Sequence, residues 1–90
     1  MIIIKDILFQ KQLYNILKTI AKDKPSASIK FEKELNRRIK GLVDFPYQYR
    51  PSYYFEEKAY RDMVYSGYTI IYKVTNDKIM ILEIFKWQDR

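Results

Sequence analysis

The sequence predicts an α+β domain in which two helices pack on one face of a small, mainly antiparallel sheet. Apolar residues recur at helical spacing in the first half of the chain, whereas three stretches of the second half tend to alternate apolar and polar residues. Two turn signals separate those three stretches. The 90 residues fit one domain with a single core. The expected order is therefore β-α-α-β-β-β, over residues 1–90.

A short strand and two helices are predicted for the first half. Ile2 to Ile4 are β-branched and, with Lys5, favour a strand, and Asp6 can then cap a helix by accepting a hydrogen bond from its first turn. The buried stripe of that helix is expected to be Phe9, Leu13, Ile16, Leu17, Ile20 and Ala21. Pro25 suits the first position of the second helix, because its missing N–H is not needed there. The second buried stripe is expected to be Phe31, Leu35, Ile39 and Leu42.

Three strands are predicted after Phe45-Pro46, which ends the second helix because the residue before proline is pushed out of the helical region. Residues 47–52 are expected to form a loop, and residues 53–58 an extended aromatic loop or a short strand. The predicted strands are 61–65, 68–74 and 79–87, joined by turns at Ser66-Gly67 and Asn76-Asp77.

Alternation predicts which strand residues are buried. The core is expected to contain Tyr68, Ile70, Tyr72, Met80, Leu82 and Ile84. The opposite face of the last strand would then carry Ile79, Ile81, Glu83, Phe85 and Trp87. Apolar residues on both faces predict a central position for this strand.

Composition excludes several kinds of site. The chain has no Cys and no His, and so lacks disulfides, Cys-based zinc sites and the commonest general base. Glu56, Glu57 and Asp62 have no metal-ligand spacing, and no cofactor or metal is expected. The longest apolar run, Met1 to Ile4, is too short for a membrane span or a signal peptide, which favours the cytoplasm.

The charge points to anionic partners. Seventeen Lys and Arg residues outnumber eleven acidic ones, for a net charge of +6. Nucleic acid or an acidic protein segment would complement this charge, although basic surfaces also serve solubility alone. Nine Tyr, five Phe and one Trp could stack on bases, form a protein interface or fill the core.

Four short motifs, in order, resemble the RelE/ParE superfamily of toxins from type II toxin–antitoxin systems. They are Asp23-x-Pro25, Leu42-x-x-Phe45-Pro46 followed by Arg50, Gly67-Tyr68-x-Ile70-x-Tyr72-x-Val74, and Ile81-Leu82-x-Ile84. The resemblance implies a single toxin domain in a bacterium, acting in growth inhibition and plasmid stabilisation. It also implies a cognate acidic antitoxin that wraps the toxin in a heterotetramer or a larger complex.

The superfamily divides by target. RelE-like members are ribosome-dependent mRNA endonucleases that use Lys and Arg on the open sheet face and a Tyr or His near the C-terminus. ParE-like members poison DNA gyrase and have no known hydrolytic centre. Positions that are basic in the nuclease pattern are Tyr60, Asp62 and Thr69 here, and the C-terminal Arg falls near Asp89. The resemblance therefore favours the ParE-like branch, a gyrase inhibitor that is not an enzyme.

Two alternatives stay open. A rewired endoribonuclease acting on ribosome-bound mRNA would use Lys73, Lys86, Arg90 and Tyr72. An inactive homologue would bind only the antitoxin. The residues predicted to bind a target or the antitoxin are Arg37, Arg38, Arg50, Arg61, Phe85, Trp87 and Arg90. For Arg50 and Arg61 the favoured role is structural, to hold the sheet to the preceding loop. The basic face of the second helix (Lys30, Lys33, Arg37, Arg38 and Lys40) is more often simply solvated.

Overall fold

Two helices lie on one face of a five-stranded sheet in a computed structural model that describes residues 1–86. The elements are β1 Ile2–Lys5, α1 Ile7–Asp23, α2 Pro25–Gly41, β2 Arg50–Pro51, β3 Tyr60–Tyr65, β4 Tyr68–Val74 and β5 Lys78–Lys86. The sheet order is β1-β5-β4-β3-β2, with β1 parallel to β5 and the other pairs antiparallel. The predicted class and element order are confirmed, with β2 as an additional two-residue strand.

The predicted helix boundaries have the expected local causes. The Asp6 carboxylate accepts a hydrogen bond from the backbone N–H of Leu8 at 2.8 Å and so caps α1. Lys24 is extended, with φ of −151°, and ends α1, after which Pro25 begins α2. Only one residue separates the helices, which therefore form a tight hairpin.

The β3–β4 hairpin requires positive φ at both turn residues. Ser66 has φ of 53° and Gly67 has φ of 84°. This combination is typical of a type I′ turn, whose twist matches the flanking strands. The predicted turn is confirmed.

The core lies between the helical hairpin and the sheet. Its buried residues are Phe9, Leu13, Phe31, Leu35, Ile39, Leu42, Met63, Ile70, Tyr72, Val74, Ile79, Ile81 and Ile84. Ile16, Leu17 and Ile20 of α1 pack against this cluster while partly exposed. Both predicted helical stripes therefore face the sheet.

The predicted faces of the last strand were wrong before residue 82 and right after it, because β5 contains a bulge at that position. Ile81 pairs with Tyr72 but Glu83 pairs with Ile71, which leaves Leu82 as an extra residue. The core face therefore carries Ile79, Ile81 and Ile84, and Met80 and Leu82 are half-buried outside the core. The predicted central position is confirmed, since β5 lies between β1 and β4.

Candidate interaction surfaces

Part of the sheet face opposite the helices, here called the open face, is buried by the chain itself, whereas Val64 on this face is 49% exposed. Ile71 is fully buried, and Thr69 and Phe85 beside it are 4% and 7% exposed, yet none of the three belongs to the core on the helix side. The ring of Tyr54 lies edge-on to Phe85 with centroids 5.4 Å apart. Residues 52–55, called the covering segment, therefore pack on this face near the end of β5.

A buried carboxylate holds the covering segment in place. Asp62 is 1% exposed, and its Oδ2 accepts a hydrogen bond from the backbone N–H of Tyr53 at 3.0 Å. Nη2 of Arg50 lies 3.6 Å from the same oxygen, and the Arg50 guanidinium stacks 4.0 Å from the Tyr53 ring centroid. Oδ1 of Asp62 is buried without a hydrogen-bond partner among residues 1–86. Asp62, which stands where the nuclease pattern has Lys, therefore anchors the covering segment.

Arg61 joins the sheet to the loop on the other face. Its Nη1 donates to the carbonyl of Tyr49 at 3.1 Å, and its Nε donates to the carbonyl of Lys58 at 3.0 Å. The guanidinium also lies 4.8 Å from the ring centroid of Tyr47. Arg61 therefore holds the sheet to the preceding loop, as one of its two predicted roles, through backbone carbonyls and an aromatic ring.

The residues of the rewired nuclease site do not come together. Tyr72 is fully buried on the helix side, and its hydroxyl donates to the carbonyl of Pro46 at 2.7 Å. This burial raises the pKa of Tyr72 above its ordinary value. Lys73 follows on the same strand and so lies on the open face, whereas Lys86 pairs with Tyr68 on the helix side. Tyr72, Lys73 and Lys86 therefore do not share one face of the sheet, their use in catalysis stays a prediction, and Arg90 lies outside the described residues.

Phe85 does not contribute to an exposed aromatic patch. It is 7% exposed, because the ring of Tyr54 covers it. Phe85 is therefore not exposed in the chain by itself, and its use in binding stays a prediction. Trp87, its predicted partner in that patch, lies outside the described residues.

The outer side of α2 carries a row of cations, called the α2 basic row: Lys30, Lys33, Arg37 and Lys40. These residues, with Arg38, line an open groove against Tyr65 of β3. Glu34 accepts hydrogen bonds from Arg37 Nη2 at 2.6 Å and from Arg38 Nε at 3.0 Å. Hydrogen bonding to Arg37, together with Arg38, lowers the pKa of Glu34 to about 2. The Arg38 guanidinium also lies 4.7 Å from the Tyr65 ring centroid.

The N-terminal edge of the sheet exposes apolar side chains. β1 is the outermost strand on its side, so one of its edges is not paired with another strand. This β1 edge surface consists of Met1, Ile2, Ile4, Ile7 and Leu8, which are 49%, 67%, 40%, 68% and 46% exposed. Exposed apolar residues beside a free strand edge are typical of a docking surface.

Comparison with known proteins assigns the family. A family model described as the ParE toxin of the type II toxin–antitoxin system parDE matches residues 5–89. The chain belongs to this family. A solved structure described as the chromosomal ParDE toxin–antitoxin system from P. aeruginosa has 20% sequence identity and a TM-score of 0.78. The match covers 96% of this chain and 95% of that one, whereas no curated protein matches.

The ParE-family toxin therefore presents two surfaces of different chemistry, the α2 basic row and the β1 edge surface. Within residues 1–86, no group of three or more His, Cys, Asp or Glu residues is placed to hold a metal ion. Neither helix in the same range is long and apolar enough to cross a membrane. The first of these surfaces is positively charged and the second is apolar.

Proposed function

We infer that this toxin inhibits growth by binding DNA gyrase and that a cognate acidic antitoxin keeps it inactive in the cytoplasm. The observation that carries the proposal is the family match over residues 5–89. The proposed action is that of an inhibitor which traps gyrase with its DNA cleaved. It requires an exposed binding surface and no hydrolytic centre in the toxin.

The geometry of the open face supports inhibition over RNA cleavage. Cleavage through the 2′-hydroxyl needs a base, a stabiliser of phosphate charge and an acid arranged around one phosphate. Tyr72 and Lys86 lie on the face away from Lys73. Asp62 would repel a phosphate, and the covering segment lies over part of the face where the RNA would bind. A nuclease built from Tyr72, Lys73 and Lys86 would need these side chains on one face of the sheet, which the register of β4 and β5 prevents.

The surface chemistry supports an acidic partner with apolar anchors. The net charge of +6 favours an acidic antitoxin, and the β1 edge surface offers Ile2 and Ile4 beside a free strand edge. Toxin and antitoxin would then form a heterotetramer or a larger complex.

A supercoiling assay tests the proposal. Purified toxin is titrated into gyrase and relaxed plasmid, with and without equimolar antitoxin from the neighbouring gene. We expect toxin to block supercoiling and antitoxin to restore it. Normal supercoiling at a large excess of toxin would contradict the proposal. Codon-position cuts in primer extension on translating ribosomes would favour the endonuclease instead.

A further inference from the structure

We propose that the α2 basic row binds the phosphate backbone of duplex DNA independently of base sequence. Such a contact would hold the toxin on the DNA that its target enzyme handles, and only this consequence rests on the proposed function. The spacing, charge and composition of the row support the contact itself.

The spacing of the row suits a line of phosphates. Its positions, 30, 33, 37 and 40, are separated by three, four and three residues, so the side chains project from one side of α2. Ten residues of helix rise about 15 Å at about 1.5 Å per residue. One DNA strand carries about four phosphates over that length, at about 3.4 Å of helix axis each. The row is therefore long enough to face several phosphates, although a winding strand does not match its four cations one to one.

The positive charge of the row is only partly compensated within α2. The acidic residues of this helix are Glu32 and Glu34. Glu32 lies on the far side, in a groove between the helices that also contains Tyr14 and Ser28. Glu34 pairs with Arg37 and Arg38, but the Arg37 side chain remains 70% exposed. Its guanidinium is thus held in a defined position while still open to a phosphate.

The composition of the row favours DNA over an acidic protein. The row has no large apolar side chain, and the aromatic ring in its groove, Tyr65, lies beneath Arg38. Protein interfaces are depleted in Lys relative to the rest of the surface and gain much of their affinity from aromatic and apolar anchors. Sequence-independent contacts to DNA come from Lys and Arg. One apolar neighbour, Ile29, is 70% exposed directly before Lys30, whereas the larger group of exposed apolar side chains lies on the β1 edge surface.

Fluorescence anisotropy with two labelled duplexes of unrelated sequence tests the proposal, with NaCl titrated and gyrase absent. The row variant combines Lys30→Gln, Lys33→Gln and Lys40→Gln. The matched control combines Lys11→Gln, Lys18→Gln and Lys22→Gln on α1, which removes the same charge from exposed positions. Each triple changes one lysine in the last turn of its helix, and circular dichroism checks that both variants fold.

We expect wild type and control to bind both duplexes with equal, salt-dependent affinity. The row variant should bind roughly tenfold or more weakly at low salt, and its log K against log[salt] slope should fall by about 2.7, at about 0.9 per lost phosphate contact. Equal losses in the row variant and the control would overturn the proposal, as would absence of binding by the wild type.

A polyglutamate peptide tests the alternative that the row binds an acidic protein segment. If it binds the row more tightly than DNA at the same salt concentration, the row is a protein site and the DNA assignment is wrong. The supercoiling assay is scored separately, since gyrase inhibition by the row variant would leave the proposed function intact. Failure of the DNA contact and failure of the proposed function are therefore distinguishable.

Discussion

At the scale of single residues, Asp62 connects the sequence pattern to the shape of the surface. A carboxylate that is 1% exposed is costly unless it is paired. Here its Oδ2 fixes the backbone of Tyr53 and pairs loosely with Arg50. The sequence shows that position 62 carries a carboxylate where the nuclease pattern has a phosphate-binding Lys. Its role as an anchor could not be predicted, because it depends on where a loop nine residues away folds.

Replacing Asp62 should loosen the covering segment. Asp62→Ala leaves the Tyr53 N–H without its acceptor and Arg50 without its partner, and should lower the free energy of unfolding by about 2–4 kcal/mol. Asp62→Asn retains an acceptor and should cost less. Urea denaturation measures both, with exposed Asp44→Ala as control. A loss in Asp62→Ala no greater than that of the control would refute the anchor.

Glu34 should stay ionised far into the acid range. Its folded pKa, about 2, lies below the ordinary 4.5, because of its hydrogen bonds to Arg37 and Arg38. The stabilisation from this group is therefore complete above pH 4.5 and is lost as the pH falls toward 2. An NMR titration of the Glu34 carboxyl carbon should give a midpoint near 2, moving up in Arg37→Gln. A wild-type midpoint near 4.5 would contradict the pairing.

At the scale of elements, helices and strands differ in how far the sequence predicts them. The apolar stripes of α1 and α2 are predicted from spacing alone, because a helix keeps its period along its length. The period of β5 is interrupted at Leu82, where one extra residue exchanges the two faces. No Gly or Pro marks this bulge in the sequence. It is detectable only from the pairing with β4.

With the bulge, Ile81 should contribute more to stability than Met80, whereas strict alternation predicts the reverse. Ile81→Ala removes a fully buried core side chain and should cost about 2–4 kcal/mol of unfolding free energy. Met80→Ala removes a half-buried side chain outside the core and should cost at least about 1 kcal/mol less. Urea denaturation of both variants provides the comparison. A larger loss in Met80→Ala would mean that the alternation inferred from sequence is right and the bulge is not.

At the scale of the whole molecule, the sequence predicts the charge of the surface better than it predicts which residues are buried. The net charge and the spacing of the α2 basic row are evident in the sequence and predict an anionic partner. The burial of Ile71 and Phe85 on the open face is not evident, because the loop residues above them follow no period. The packing of Tyr54 on Phe85 therefore became evident only from the structure.

The most direct test of the account is whether the toxin traps gyrase on cleaved DNA. Supercoiled plasmid, gyrase and ATP are incubated with increasing toxin, and detergent and protease then release any broken DNA. We expect the amount of linear plasmid to increase with toxin, to depend on gyrase, and to fall to background when antitoxin is added first. An unchanged amount of linear plasmid at a large molar excess of folded toxin would contradict it.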